Sequence, residues 1–136
     1  LILAELQADA RLSYKELSRR IHLSAPAVAE RVRRMETAGV ISGYHARVEP
    51  ARVGRGVSAL IRVSCYGQKC VLSDPDVRQW PEVLEIHRIT GDACCVRKVA
   101  TDSMTALEAL LDRLAGYGQP SSMMILDSPL AWRPLR

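Results

Sequence analysis

Nothing in the sequence approaches the roughly 20 consecutive apolar residues that a membrane-spanning helix requires, and no secretory signal opens it. Catalytic groupings are equally scarce. The three histidines, His22, His45 and His87, fall in separate segments. No Ser-His-Asp set, phosphate-cradling glycine loop or paired metal ligands accompany them, so an enzyme is not expected. Cysteine is limited to Cys65, Cys70, Cys94 and Cys95. Neighbours in a strand point to opposite faces, which makes Cys94 and Cys95 a poor chelate. The spacing of Cys65 and Cys70 matches no zinc pattern. Buried, reduced thiols in a cytoplasmic protein are the expectation, with neither metal nor cofactor. A thiol-based redox or metal sensor is the alternative. Leu1 is not a methionine and begins inside an apolar helical pattern, so a few residues are expected to precede it.

What is present is unevenly distributed. The 136 residues carry a net charge of +4, a length that allows one ordinary domain or two small ones. Residues 1–55 hold ten Lys+Arg against six Asp+Glu, whereas residues 56–136 hold nine of each. The whole excess lies in the first part, as expected for a phosphate-binding module joined to a neutral one.

That basic part contains the most informative stretch, Leu12–Gly39. Ser13 with Glu16 three residues later reads as a helix start, and Leu17 and Ile21 share one face. After the turn His22-Leu23-Ser24, Ser24 caps a second helix with Pro26 in its first turn. Val28, Val32 and Met35 form the apolar stripe of that helix, and Ala27, Arg31 and Arg34 form a neighbouring one. Gly39 suits the left-handed position that ends it. Small residues at a helix N-terminus followed by arginines suit the major groove: the backbone approaches the base edges, and arginine pairs with guanine or phosphate. An ordinary helical hairpin with a solvated basic face is the alternative. The residues expected at double-stranded DNA are Ser13, Tyr14, Ser24, Ala25, Ala27, Val28, Arg31 and Arg34, with His45 and Arg47 from the following β-prone stretch Val40–Glu49. Residues 1–8 add a helix carrying Leu3 and Leu6, so the DNA-binding domain spans 1–49 and a linker covers 50–56.

Residues 57–136 read as a second domain. Val57–Cys65 alternates as a half-buried strand. Residues 71–80 are weakly helical around Asp74-Pro75-Asp76. Glu82–Ile89 and Cys94–Thr101 form a hairpin across Thr90-Gly91-Asp92-Ala93. Ser103–Ala115 is a helix with Met104, Leu107, Leu111 and Leu114 inward, and Ser122–Ser128 is the last strand. The order β-α-β-β-α-β defines a ferredoxin-like α+β domain. Its two helices cover one sheet face, leaving Leu60, Met123 and Ile125 on the other, where a second copy would pair across a two-fold axis.

A helix-turn-helix, a hinge and a β-α-β-β-α-β domain together resemble the Lrp/AsnC family of prokaryotic transcription factors. The matching stretches are Leu-Ser-Tyr-Lys-Glu-Leu-Ser-Arg-Arg-Ile, Leu-Ser-Ala-Pro-Ala-Val-Ala-Glu-Arg-Val-Arg-Arg-Met-Glu, Ala-Gly-Val-Ile-Ser-Gly-Tyr and Val-Leu-Glu-Ile-His-Arg-Ile-Thr-Gly-Asp. The resemblance implies a homodimer that assembles to a tetramer or octamer and binds an amino acid or similar small effector between dimers. Carried over residue by residue, the effector site comprises Thr90, Gly91, Asp92, Ala93 and Cys94, closed by Gln119, Ser121 and Ser122 of a neighbouring subunit from a segment before the last strand. The family usually follows Gly-Asp with an aromatic and a second Asp. Here Ala93, Cys94 and Cys95 stand instead, and the second carboxylate is missing. Two other readings accompany this one: an architectural DNA binder without an effector, and an enzyme similar to the haem-pathway decarboxylases that share the two-domain shape.

Overall fold

Apolar residues recurring every three to four positions build the first unit of the computed structural model, which describes residues 1–67 and 70–135. Helix α1 spans Ile2–Ala8, α2 Tyr14–Ile21 and α3 Ala25–Thr37. Ile2, Leu6, Leu17, Val28 and Val32 form their shared core. On α1 the buried pair is Ile2 and Leu6, rather than Leu3 and Leu6. The caps follow the sequence signals. Ser13 Oγ accepts from the Glu16 N–H at 3.1 Å, and Ser24 Oγ from the Ala27 N–H at 3.3 Å. At the end of α3, Gly39 takes φ 71°. The Val40 N–H then reaches Met35 O at 2.9 Å and the Gly39 N–H reaches Glu36 O at 3.0 Å, satisfying carbonyls the helix leaves open. Residues 40–49 pair with no strand among the described residues. An extended segment follows α3, and it is held in part by Tyr44, whose hydroxyl donates to Glu36 Oε1 at 2.8 Å.

The unit comprises Leu1–Arg47 together with the described residues from Pro129 onward, and the second unit is Val48–Ser128. The tail, expected in the second domain, groups with the first: Gln7 donates to Leu135 O at 3.1 Å and accepts from Leu135 N at 2.7 Å. Arg136, the last residue of the expected second domain, lies outside the described residues. The expected linker is a 3₁₀ turn, Pro50–Val53, within the second unit.

In the second unit β1 spans Val57–Cys65, β2 Val83–Arg88, β3 Cys95–Thr101, α4 Met104–Ala115 and β4 Gly118–Met124. The strands lie in the order β2-β3-β1-β4, antiparallel throughout. Ala59, Ile61 and Val63 of β1 and Cys95 and Val99 of β3 meet Leu107, Leu110 and Leu114 of α4 in one core. The register places Leu60 between Lys98 and Met123 on the opposite face, as expected.

Three expectations are corrected. The first crossover is not a helix but two 3₁₀ segments, Val71–Ser73 and Pro75–Gln79. Asp74 precedes a proline, is held extended at ψ 111°, and separates them. On α4 Met104 is exposed and Leu110 takes the inward position. The last strand begins four residues early, at Gly118, because β1 approaches closely there: a Cβ on Gly118 would lie 2.1 Å from Ser64 O. Pro120 is tolerated because β4 is an edge strand, where a missing N–H need cost no ladder bond.

Among the described residues one charged side chain sits in the apolar layer. Arg97, paired in register with Ile61 and Ile86, is fully buried, and its guanidinium nitrogens have no hydrogen-bond partner among the described residues.

Candidate nucleic-acid interface and ligand site

In the first unit the α2–α3 turn is enforced locally. His22 adopts the left-handed conformation at φ 56°, and the Leu23 N–H donates to Ser18 O at 3.1 Å. Arg20 ties α2 to α1, reaching Glu5 at 2.8 Å and Glu16 at 2.9 Å. Hydrogen bonds from Arg20 and then Arg19 hold the Glu16 carboxyl below its usual range.

This turn leaves the N-terminus of α3 open. Ser24 is exposed and Ala25 and Ala27 are half-buried, so small side chains surround the first turn. Arg31 and Arg34 stand exposed further along. Glu30 pairs with Arg33 and lies 3.6 Å from Arg34. Arg31 has no carboxylate partner among the described residues. Ser13, Tyr14, His45 and Arg47 are also exposed. Burial first, and then the Glu36 carboxylate, push the neighbouring Tyr44 phenol up to about 12.

Val28 is a correction. It is fully buried in the helical core and has no surface to offer a base. The neighbouring stripe carries the exposed side chains, because a helix turns about 100° per residue.

In the second unit the β2–β3 connection brings some of the expected ligand residues together and separates others. Asp92 accepts from Arg62 on β1 at 2.6 Å. Arg62 lies opposite Ser121 in the register, and Gln119 opposite Ser64, so Asp92, Arg62, Ser121 and Gln119 belong to the open sheet face. Ser122 pairs with the buried Ile61 and belongs to the helix-covered face. Strand alternation therefore prevents Ser121 and Ser122 from turning their side chains to one pocket. Both lie within β4 rather than before it. Ala93 is 4% exposed and presents no side chain outward. The Cys94 N–H is already spent on Val63 O at 2.8 Å, and its sulfur accepts from the Cys65 N–H at 3.1 Å. Thr90 and Gly91 remain exposed.

Arg62 is the residue that reading the sequence missed. Its signal was an arginine flanked by small and apolar residues on the outward face of an otherwise apolar strand. A depression of about 690 Å³ runs along β2 beside Leu84 and Ile86 and includes none of residues 90–94. Of the histidines, His22 caps α2, His45 is exposed and His87 bonds Glu85 at 3.0 Å, so they do not converge.

A capped helix-turn-helix with an open arginine flank, followed by a four-stranded α+β domain, defines a two-domain DNA-binding regulator with a ligand-binding module. Residues 1–42 match the winged helix-turn-helix DNA-binding family, and residues 58–134 match the Lrp/AsnC ligand binding domain. The chain belongs to the Lrp/AsnC family of transcriptional regulators. It is 37% identical to the HTH-type transcriptional regulator YezC of Bacillus subtilis over 127 residues, which cover 93% of this chain and 90% of that protein. The solved structure of B. subtilis LrpC superposes with a TM-score of 0.90 at 30% identity, covering 96% of this chain and 94% of that one. A regulator from Neisseria meningitidis, NMB0573, solved as a complex with L-methionine, gives 0.88 at 31% identity over 99% of this chain and 92% of its own. No helix among the described residues is long and apolar enough to cross a membrane.

Proposed function

We propose that this chain acts in the cytoplasm as a sequence-specific transcriptional regulator without enzymatic activity, inserting α3 into the major groove of double-stranded DNA. The observation that carries the reading is the Arg31 flank: an exposed guanidinium one turn beyond small residues at a capped helix start, with no carboxylate competing for it among the described residues. Ser24, Ala25, Ala27 and Arg34 surround it. Ser13, Tyr14, His45 and Arg47 contact the flanking phosphates. A homodimer presents two such helices to a palindromic site and doubles the basic charge. The open sheet face bearing Leu60 and Met123 supplies the dimer surface, and dimers assemble further to a tetramer or octamer.

Arg31→Ala weakens binding to a specific operator by roughly 1–3 kcal/mol if the side chain reads a base, which a gel-shift titration measures; unchanged affinity removes Arg31 from the interface. Affinity also falls with added salt by about 0.9 log unit per phosphate contact per log unit of salt. A flat salt response argues against an interface built on phosphates.

The effector is an amino acid or related metabolite held at Thr90, Gly91 and Asp92 between dimers, with Gln119 and Ser121 on the same sheet face. Methionine bound to the Neisseria regulator supports that class. Asp92 is paired to Arg62 in the free chain, so an incoming ammonium group exchanges one cation for another, while Arg62 is released toward a carboxylate. A ligand at a hundred times its Kd stabilises the fold by about 2.7 kcal/mol. Asp92→Ala therefore abolishes amino-acid-induced thermal stabilisation and leaves the dimer intact on a sizing column. The existing Asp92–Arg62 pair and the missing second carboxylate favour one rival, an effector-independent architectural binder. A wild-type chain whose melting none of the twenty amino acids shifts establishes that rival.

A further inference from the structure

Cys65, Cys70 and Cys94 converge although they lie far apart in sequence. Their sulfur atoms all lie within 4.8 Å of one another, and each residue is half-buried. The Cys65 and Cys70 sulfurs are 2.9 Å apart, and Cys94 Sγ sits on the Cys65 N–H at 3.1 Å. The three come from the end of β1, the loop after it and the β2–β3 connection. Cys95 points instead into the core below α4.

From this convergence we propose that Cys65, Cys70 and Cys94 bind one thiophilic d10 metal ion, of the Zn(II) or Cd(II) kind, through three thiolates. Sulfur ligands about 2.3 Å from a tetrahedral zinc stand just under 4 Å from each other, so the Cys65–Cys70 pair, at 2.9 Å, opens slightly to hold the ion. A fourth position remains for water. A disulfide uses two sulfurs at about 2.05 Å and gives no reason for the third to converge. Three thiolates and a divalent ion leave one negative charge. Binding releases protons and tightens as pH rises.

The test is a titration of the reduced, full chain with Cd(II) under anaerobic conditions, following thiolate-to-metal charge-transfer absorption against a competing chelator. The expected result is saturation at one ion per chain and a higher melting temperature. Cys65→Ser, Cys70→Ser and Cys94→Ser each lose more than the roughly 10–100-fold that removing a supporting outer contact costs, while Cys95→Ser keeps the stoichiometry. A reduced wild-type chain with no saturable binding overturns the proposal even if every variant misfolds. So does a folded Cys94→Ser chain that binds as the wild type does, since a pair of thiols would then suffice.

Discussion

Gly118→Ala is expected to destabilise the sheet-bearing unit by about 3 kcal/mol, at the upper end of what overpacking costs. The added methyl would meet backbone, not a movable side chain: Ser64 O at 2.1 Å and both Ser64 C and Cys65 Cα at 2.8 Å. No rotamer relieves that contact. Either β4 slides away from β1, breaking the Cys65–Gly118 pairing, or β1 bends. Each kcal/mol lowers the melting temperature of a domain this size by about 4–8 °C, so calorimetry reads the effect directly. Gly116→Ala is the matched control. Gly116 has φ −66°, and its nearest neighbour to an added Cβ is Arg113 O at 3.4 Å. Alanine there removes unfolded-state freedom and is neutral or stabilising by up to about 1 kcal/mol. Similar melting for the two variants contradicts the close approach of β4 to β1.

Val28→Asp is expected to unfold the helix-turn-helix unit. Val28 is fully buried against Ile2, Leu6, Leu17 and Val32. An uncompensated carboxylate there costs about 3–5 kcal/mol, a large part of the roughly 5–15 kcal/mol that holds a whole domain folded. DNA affinity disappears together with the share of the helical circular dichroism signal that α1, α2 and α3 contribute. Arg31→Ala leaves melting unchanged and weakens DNA binding alone, since its side chain is exposed. The pair separates a core role from a contact role on adjacent stripes of one helix. A folded Val28→Asp chain that has lost only its operator would return Val28 to the interface.

The expectations that the structure bears out rest on local periodicity. Caps at Ser13 and Ser24, the left-handed Gly39 and the alternation of Val57–Cys65 each depend on neighbours within a few residues. The α+β order and the Leu60–Met123 face followed from them. Which stripe of α3 is buried was legible too, and Val28 belongs to the buried one. The start of β4 was not legible. Met-Met-Ile-Leu is strand-prone, yet pairing begins at Gly118, and only the backbone of β1 makes a glycine necessary there. The 71–80 crossover is not a helix for a local reason, the extended Asp74 before Pro75.

By itself the sequence determined two modules, their element order, the exposed arginines of the second helix in the turn motif, and family membership. These are properties of spacing and of charge along the chain. Only the tertiary structure decided that Asp92 meets Arg62, that pairing with β1 draws both Ser121 and Ser122 into β4, and that three cysteines share one corner. Those contacts join strands and connections far apart along the chain, and the closing of the whole sheet brings them together, which spacing between near neighbours does not encode.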